Sequence, residues 1–255
     1  MRVPGEVRIE QAGDIARVWL ATPGRRNAIG AAMWRQLAAC FGDWLREPRA
    51  LRVVVLRGAD GHFAGGADIA EFPALRHDRA SGRRYHEELI APALAAVRAC
   101  PVPVVAAIEG ACVGGGLELA LAADLRIAAQ GARLGAPVGR LGFPFARREL
   151  ADLLACVGRD VAFELLVEGR LLDADEACSK GLVTRVVAAS AFEAELAACC
   201  ERIAAGAPLA ARLNKANLSA PVPQSPDDYA WLESEDYREG VAAFLAGRAP
   251  RFTGR

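Results

Sequence analysis

The residues of this chain best placed to do chemistry are Gly114-Gly115-Gly116-Leu117-Glu118. They follow an apolar run, 102–108, that reads as a buried strand, and they open a second run, 117–123, that reads as a helix. A glycine at such a junction lets a ligand approach backbone N–H groups, and the helix dipole favours negative charge there. Glu118 stands three residues past Gly115 and returns to nearly the same helix face. A donor for a developing oxyanion would therefore sit beside a carboxylate able to move a proton. That pairing suits reactions at the carbon next to a carbonyl. A glycine-rich turn can also serve close packing alone. The glycines lack dinucleotide-fingerprint spacing, and no Lys-Ser/Thr follows as in a phosphate-binding loop.

A second segment, His62-Phe63-Ala64-Gly65-Gly66-Ala67-Asp68-Ile69, again places small residues after an apolar run, 52–57, and before a helical stretch. Two such loops, each giving one N–H, would make a two-donor oxyanion hole. The Phe-Ala-Gly-Gly-Ala-Asp-Ile loop and the Gly-Gly-Gly-Leu-Glu-Leu-Ala turn resemble the enoyl-CoA hydratase/isomerase (crotonase) superfamily. Pro23-Gly24-Arg25-Arg26-Asn27-Ala28-Ile29 is similar to that family's early Pro-x-x-Arg-Asn-Ala-Leu motif. Ser234-Glu235-Asp236-Tyr237-Arg238-Glu239-Gly240, with Ala243-Phe244-Leu245 and Pro250-Arg251-Phe252, is similar to its C-terminal signature.

The resemblance implies an α/β fold with a crotonase-like ββα spiral core over 1–189. It implies a helical C-terminal oligomerisation region over 190–255, in a homotrimer or a dimer of trimers. The implied ligand is an acyl-CoA thioester, with coenzyme A entering only as part of the substrate and with no metal. Ala67 and Gly115 become the oxyanion-hole pair and Glu118 the acid/base. Arg25, Arg26 and Ala28 match the segment that wraps the CoA adenine and phosphates, and Arg248 and Arg251 could join from the C-terminal helix. Ala64, Gly65, Asp68, Ile69, Gly114, Pro137 and Val138 complete the expected substrate-binding set.

One departure changes the expected reaction. The family motif runs Gly-x-Pro-Glu-x-x-Leu-Gly, and this chain has Gly135-Ala136-Pro137-Val138-Gly139-Arg140-Leu141-Gly142. Val138 stands where a second glutamate belongs, and valine transfers no proton. The next family stretch is replaced by Phe143-Pro144-Phe145-Ala146-Arg147-Arg148-Glu149. Arg140, Arg147, Arg148 or Glu149 could enter the reshaped pocket, although such residues more often lie on a solvated helix face. A single acid/base suits a proton shuttle between carbons better than water addition. Decarboxylation, thioester hydrolysis, or CoA binding without turnover stay open, because one fold hosts several chemistries.

The bulk numbers narrow the field. A chain of 255 residues, 53% hydrophobic, can bury a sizeable core as one large domain or one domain with a small appendage. The formal net charge is zero, against the basic footprint of a nucleic-acid binder. No apolar run reaches membrane-spanning length, and 1–10 carries no apolar signal core. Seven cysteines without a Cys-x-x-Cys pair fit a reducing cytoplasm, and adjacent Cys199 and Cys200 suit a buried helix. His62, His77 and His86 have no metal-site spacing.

The elements that must position these loops are legible by pattern. Val7-Arg8-Ile9-Glu10 and Ile15-Ala16-Arg17-Val18-Trp19-Leu20 alternate about Gly13 as a hairpin. Met33, Trp34, Leu37, Ala38, Phe41, Trp44 and Leu45 mark an amphipathic helix. A charged helix is expected over 81–99, strands over 125–129 and 182–187, and a helix over 174–180 with Asp173 as N-cap and Gly181 just beyond its end. Strands alternating with helices point to α/β. From 190 onward the chain reads as helices broken at Pro208 and between Pro221 and Pro226.

Overall fold

The computed structural model describes residues 3–46, 51–219 and 226–255. The hairpin is present as β1 (Glu6–Ala12) and β2 (Ile15–Ala21), followed by α1 (Ala31–Arg46) and β3 (Val53–Gly58). Short α2 (Phe72–Leu75) precedes a continuous helical run made of α3 (Arg79–Arg84), a π-helical segment (Tyr85–Ile90) and α4 (Ala91–Ala99). That run is the charged helix expected over 81–99. It starts at Arg79 because Asp78 and Ser81 cap its end reciprocally, each side chain meeting the other's backbone N–H.

Next come β4 (Val104–Ile108), β5 (Ala111–Val113), α5 (Gly115–Leu121), β6 (Leu125–Ala129) and β7 (Arg133–Gly135). Then follow α6 (Leu150–Phe163), β8 (Leu171–Asp173), α7 (Ala174–Ser179) and β9 (Arg185–Val187). The Asp173 carboxylate accepts the Glu176 N–H at 2.8 Å, so the expected cap holds. The chain ends in α8 (Phe192–Ala204), α9 (Pro208–Ser219) and α10 (Glu235–Leu245). The expected break at Pro221 lies outside the described residues.

Six strands form one sheet in the order β1-β2-β3-β4-β6-β9, parallel throughout except for the β1–β2 hairpin. Its central strands are apolar on both faces because both faces are covered. Val54, Leu56, Val104, Ala106 and Ile108 point into the main core with Trp34, Leu37 and Phe41 of α1 and Leu117 of α5. Val53, Val55, Val105, Ala107 and Ile127 point the other way, against Phe192, Leu196, Cys199 and Cys200 of α8. The cysteine pair is thus a stretch of buried helix. Among the described residues, no helix is long and apolar enough to cross a membrane.

A second sheet, β5-β7-β8, was not expected from the sequence. Each of its strands has three residues, too few to show a period. It matters because β5 carries the chain directly into Gly114 and α5.

Candidate active site

Backbone pairing brings the two glycine-rich loops together. Phe63 N–H donates to the Glu109 carbonyl at 2.8 Å and Ala64 N–H to the Ala111 carbonyl at 2.9 Å. Val113 N–H returns a bond to the Ala64 carbonyl at 2.9 Å. The first loop therefore runs as a short strand beside β5. Its other side is pinned by Ile29, whose N–H donates to the Gly66 carbonyl at 2.7 Å and whose carbonyl accepts the Asp68 N–H at 3.0 Å. Strand-like backbone alternates the direction of its polar groups, so the N–H of Ala67 points away from Ile29. It has no acceptor among the described residues.

Gly115 lies opposite. A β-carbon built on it would sit 3.5 Å from the Ala67 nitrogen and 3.2 Å from the Trp34 ring. Gly115 is the first residue of α5, where the helix itself supplies no acceptor for the N–H. Gly114 turns the chain with φ 53°, a backbone that L side chains rarely adopt. The backbones of Ala67 and Gly115 thus approach each other closely, each with an N–H that the adjoining elements do not use.

The segment 23–29 supports the loops from below. Asn27 is buried; its side-chain NH2 donates to the Ala59 and His62 carbonyls, each at 2.7 Å, and its oxygen accepts the Thr22 N–H at 3.1 Å. This clasp joins the end of β2 to the loop leaving β3. Arg25 forms an ion pair with Asp68 and donates to the Val3 carbonyl at 2.9 Å. Asp68 also caps the turn that follows, accepting the Ala70 N–H at 3.3 Å. Arg26 and Ile69 are exposed, Ala28 is half-buried, and Gly65 is exposed with its N–H on the Arg26 carbonyl at 2.6 Å. Arg248 holds Glu239 in a two-pronged contact of 2.6 and 2.8 Å, and with Arg251 it lines a cleft on the C-terminal region.

Glu118 sits one turn into α5 with 9% of its surface exposed, and its Oε2 is buried without a hydrogen-bond partner. Burial pushes its carboxyl up to about 8; the negative charge of Glu149 adds to the rise and Arg76 opposes it. The guanidinium of Arg76 lies 4.3 Å from the centre of the Phe72 ring, 4.5 Å from that of Phe143 and 5.5 Å from that of Tyr85. A cation held against three rings is fixed in place at the edge of the site. Sequence reasoning missed Arg76, because an arginine just past a short helix carries no pattern of its own.

Val138 is buried in a 3-10 turn entered from Pro137. Of the four charged residues near it, Arg140 turns away to the Gly169 carbonyl at 3.2 Å, and Arg147 and Arg148 are exposed. Glu149 alone is buried, 3% exposed, with Oε1 3.4 Å from His86 Nδ1 and Oε2 unpartnered. Among the described residues, no group of three His, Cys, Asp or Glu side chains gathers as a metal site.

This fold has close counterparts among known proteins. The family model for enoyl-CoA hydratase/isomerase matches residues 10–255. The chain belongs to that family, the crotonase superfamily of acyl-CoA-processing enzymes. A crystal structure of an enoyl-CoA hydratase/carnithine racemase from Magnetospirillum magneticum superposes with a TM-score of 0.93 at 46% identity, covering 98% of this chain and 96% of that one. An enoyl-CoA hydratase structure from Bacillus anthracis superposes at 0.90 with 29% identity, covering 98% and 100%. The mitochondrial enoyl-CoA hydratase domain-containing protein 2 of Bos taurus is 32% identical over 94% of this chain and 84% of its own length.

Proposed function

We propose that the protein binds an acyl-CoA thioester with its carbonyl oxygen between the N–H groups of Ala67 and Gly115, and that Glu118 moves a proton on the neighbouring carbons. The observation that carries this reading is the close approach of the Ala67 and Gly115 backbones, beside a buried carboxyl whose Oε2 has no hydrogen-bond partner. On a 3-enoyl thioester, Glu118 takes a proton from C2. The electron pair of that C–H bond spreads over the dienolate, and the negative charge collects on the thioester oxygen. Glu118 then returns the proton to C4, and the double bond moves from C3–C4 to C2–C3. A carboxyl titrating near 8 gives and takes protons readily at neutral pH. One oxyanion-hole donor is typically worth about 3–4 kcal/mol of transition-state stabilisation.

No cofactor is needed beyond the coenzyme A of the substrate. The protein assembles as a homotrimer or a dimer of trimers in this reading; exposed Leu218, Phe244 and Leu245 on α9 and α10 offer apolar surface for contacts between copies, and sedimentation tests the subunit number.

The test is titration with acetoacetyl-CoA, an enolisable thioester, followed by turnover assays on 3-enoyl-CoA and crotonyl-CoA. Micromolar binding with turnover of at least one substrate is expected. Absence of binding at high ligand concentration refutes the ligand class. Binding without turnover identifies a CoA-binding protein instead of an enzyme.

A further inference from the structure

Glu149 has no place in the reaction just described, yet it is the most deeply buried glutamate among the described residues. It is the residue immediately before α6, and α6 packs against α5, which carries Glu118. Burying a carboxylate with one oxygen unpartnered is costly unless the free oxygen has work to do. Two such oxygens occur in neighbouring elements: Glu118 Oε2 and Glu149 Oε2. The same aromatic cluster borders both residues. Tyr85 packs edge-on against His86 at 5.6 Å between ring centres, His86 holds Glu149, and Arg76 over Tyr85 lies near enough to Glu118 to act on its charge. His86 and Glu149 also line a 300 Å³ cleft that opens to the surface beside Arg83 and Arg147.

We propose that Glu149, held by His86, supplies the second proton-transfer carboxylate that Val138 does not, so that the site adds water across the double bond of a 2-enoyl thioester. This rests on the reading of Glu118 and the two N–H donors above. In the balanced step, Glu149 takes a proton from water as the water oxygen bonds to C3. The π electrons of the C2–C3 bond pass into the enolate, and Glu118 delivers its own proton to C2. One H and one OH are added; Glu149 ends protonated and Glu118 ionised, and a proton passing back through solvent resets the pair. The division of roles follows from charge. Burial and the negative charge of Glu149 hold the Glu118 carboxyl in its protonated form, which leaves the water-activating role to Glu149, 3.4 Å from His86 Nδ1.

The test compares crotonyl-CoA hydration with 3-enoyl-CoA isomerisation in three proteins: wild type, Glu149→Gln and Glu118→Gln. Expected are measurable hydration by wild type and a loss of at least about 10²-fold in Glu149→Gln. Isomerisation in that variant should fall by less than a tenth of that factor. Glu118→Gln should lose both. Wild-type isomerisation without hydration overturns the proposal, as does wild-type hydration in Glu149→Gln. A parallel loss of both reactions in Glu149→Gln also overturns it, since that is the mark of a structural role. A Glu118→Gln protein fully active in both reactions refutes the underlying reading instead. If Glu149→Gln does not fold, His86→Leu leaves the carboxylate in place but removes its hydrogen-bonding partner. It must depress hydration more than isomerisation for the proposal to stand.

Discussion

Gly116 and Ala64 touch so closely that a β-carbon on Gly116 would fall 2.5 Å from the Ala64 carbonyl oxygen and 2.8 Å from its β-carbon. The two loops that present Ala67 and Gly115 are in contact at this point, and only a hydrogen fits between them. The change Gly116→Ala must push the loops apart. An overpacking cost of about 1–3 kcal/mol is expected in thermal or denaturant unfolding. Turnover should fall about 10²-fold or more, since a displacement near 1 Å suffices for that. Wild-type turnover in a Gly116→Ala protein would mean that loop spacing does not set the reaction.

Glu118→Gln keeps the side chain's size and removes its proton chemistry. Turnover on whichever thioester is processed should drop at least about 10²-fold, with affinity for acetoacetyl-CoA little altered. Steady-state kinetics and calorimetry on the same preparation separate these effects. Weakened binding with an unchanged rate constant would place Glu118 in ligand recognition.

The same residue ties stability to pH. Its carboxyl lies near 8 in the folded protein against an ordinary 4.5, so the native state holds a proton that the unfolded chain releases. A raised acid of this kind costs stability as pH climbs from about 4.5 through about 8, at about 1.4 kcal/mol per pH unit across that window. Glu118→Gln should therefore match wild type near pH 4.5 and exceed it by several kcal/mol at pH 9. Urea midpoints at the two pH values check this, and equal midpoints at pH 9 would contradict the burial of an unpaired carboxyl.

Arg76 opposes the rise in Glu118, so Arg76→Gln should raise that carboxyl further. Where the ionised form is the active one, as in proton removal from a 3-enoyl thioester, the acid limb of kcat/KM moves to higher pH. Loss of three cation–ring contacts should also lower stability by about 1–2 kcal/mol. A pH profile superimposable on that of wild type would show that Arg76 acts only through packing.

The β3, β4 and β6 strands, the glycine loops and the Asp173 cap were legible because local pattern decides each of them. The buried strands are unbroken apolar runs, and the loops carry glycines where backbone must approach backbone. The β5-β7-β8 sheet was not legible, since its pairings join segments near 111, 133 and 171 through three-residue strands. Glu149 was visible only as one of four charged candidates near Val138. Its neighbours Arg147 and Arg148 are exposed, so that stretch reads as solvated surface, and burial there is a product of how α6 docks. Arg25 and Asp68, grouped as ligand contacts, hold each other in the structure. Either role is compatible with the sequence, because an arginine beside a phosphate and one beside a carboxylate look alike there.

The π-helical segment Tyr85–Ile90 has a consequence for how such a site could arise or vanish. A π turn holds one residue more than an α turn, the usual trace of a single inserted residue accommodated without breaking the helix. Because the wide turn absorbs that residue, deleting one position between 85 and 90 would return the run to α-helix with α3 and α4 in nearly their present facing. The change would fall on the turn itself, where Tyr85 packs on His86 and His86 meets Glu149. A one-codon deletion far from the glycine loops could thus take the histidine from Glu149 while leaving the fold, the backbones of Ala67 and Gly115, and Glu118 in place.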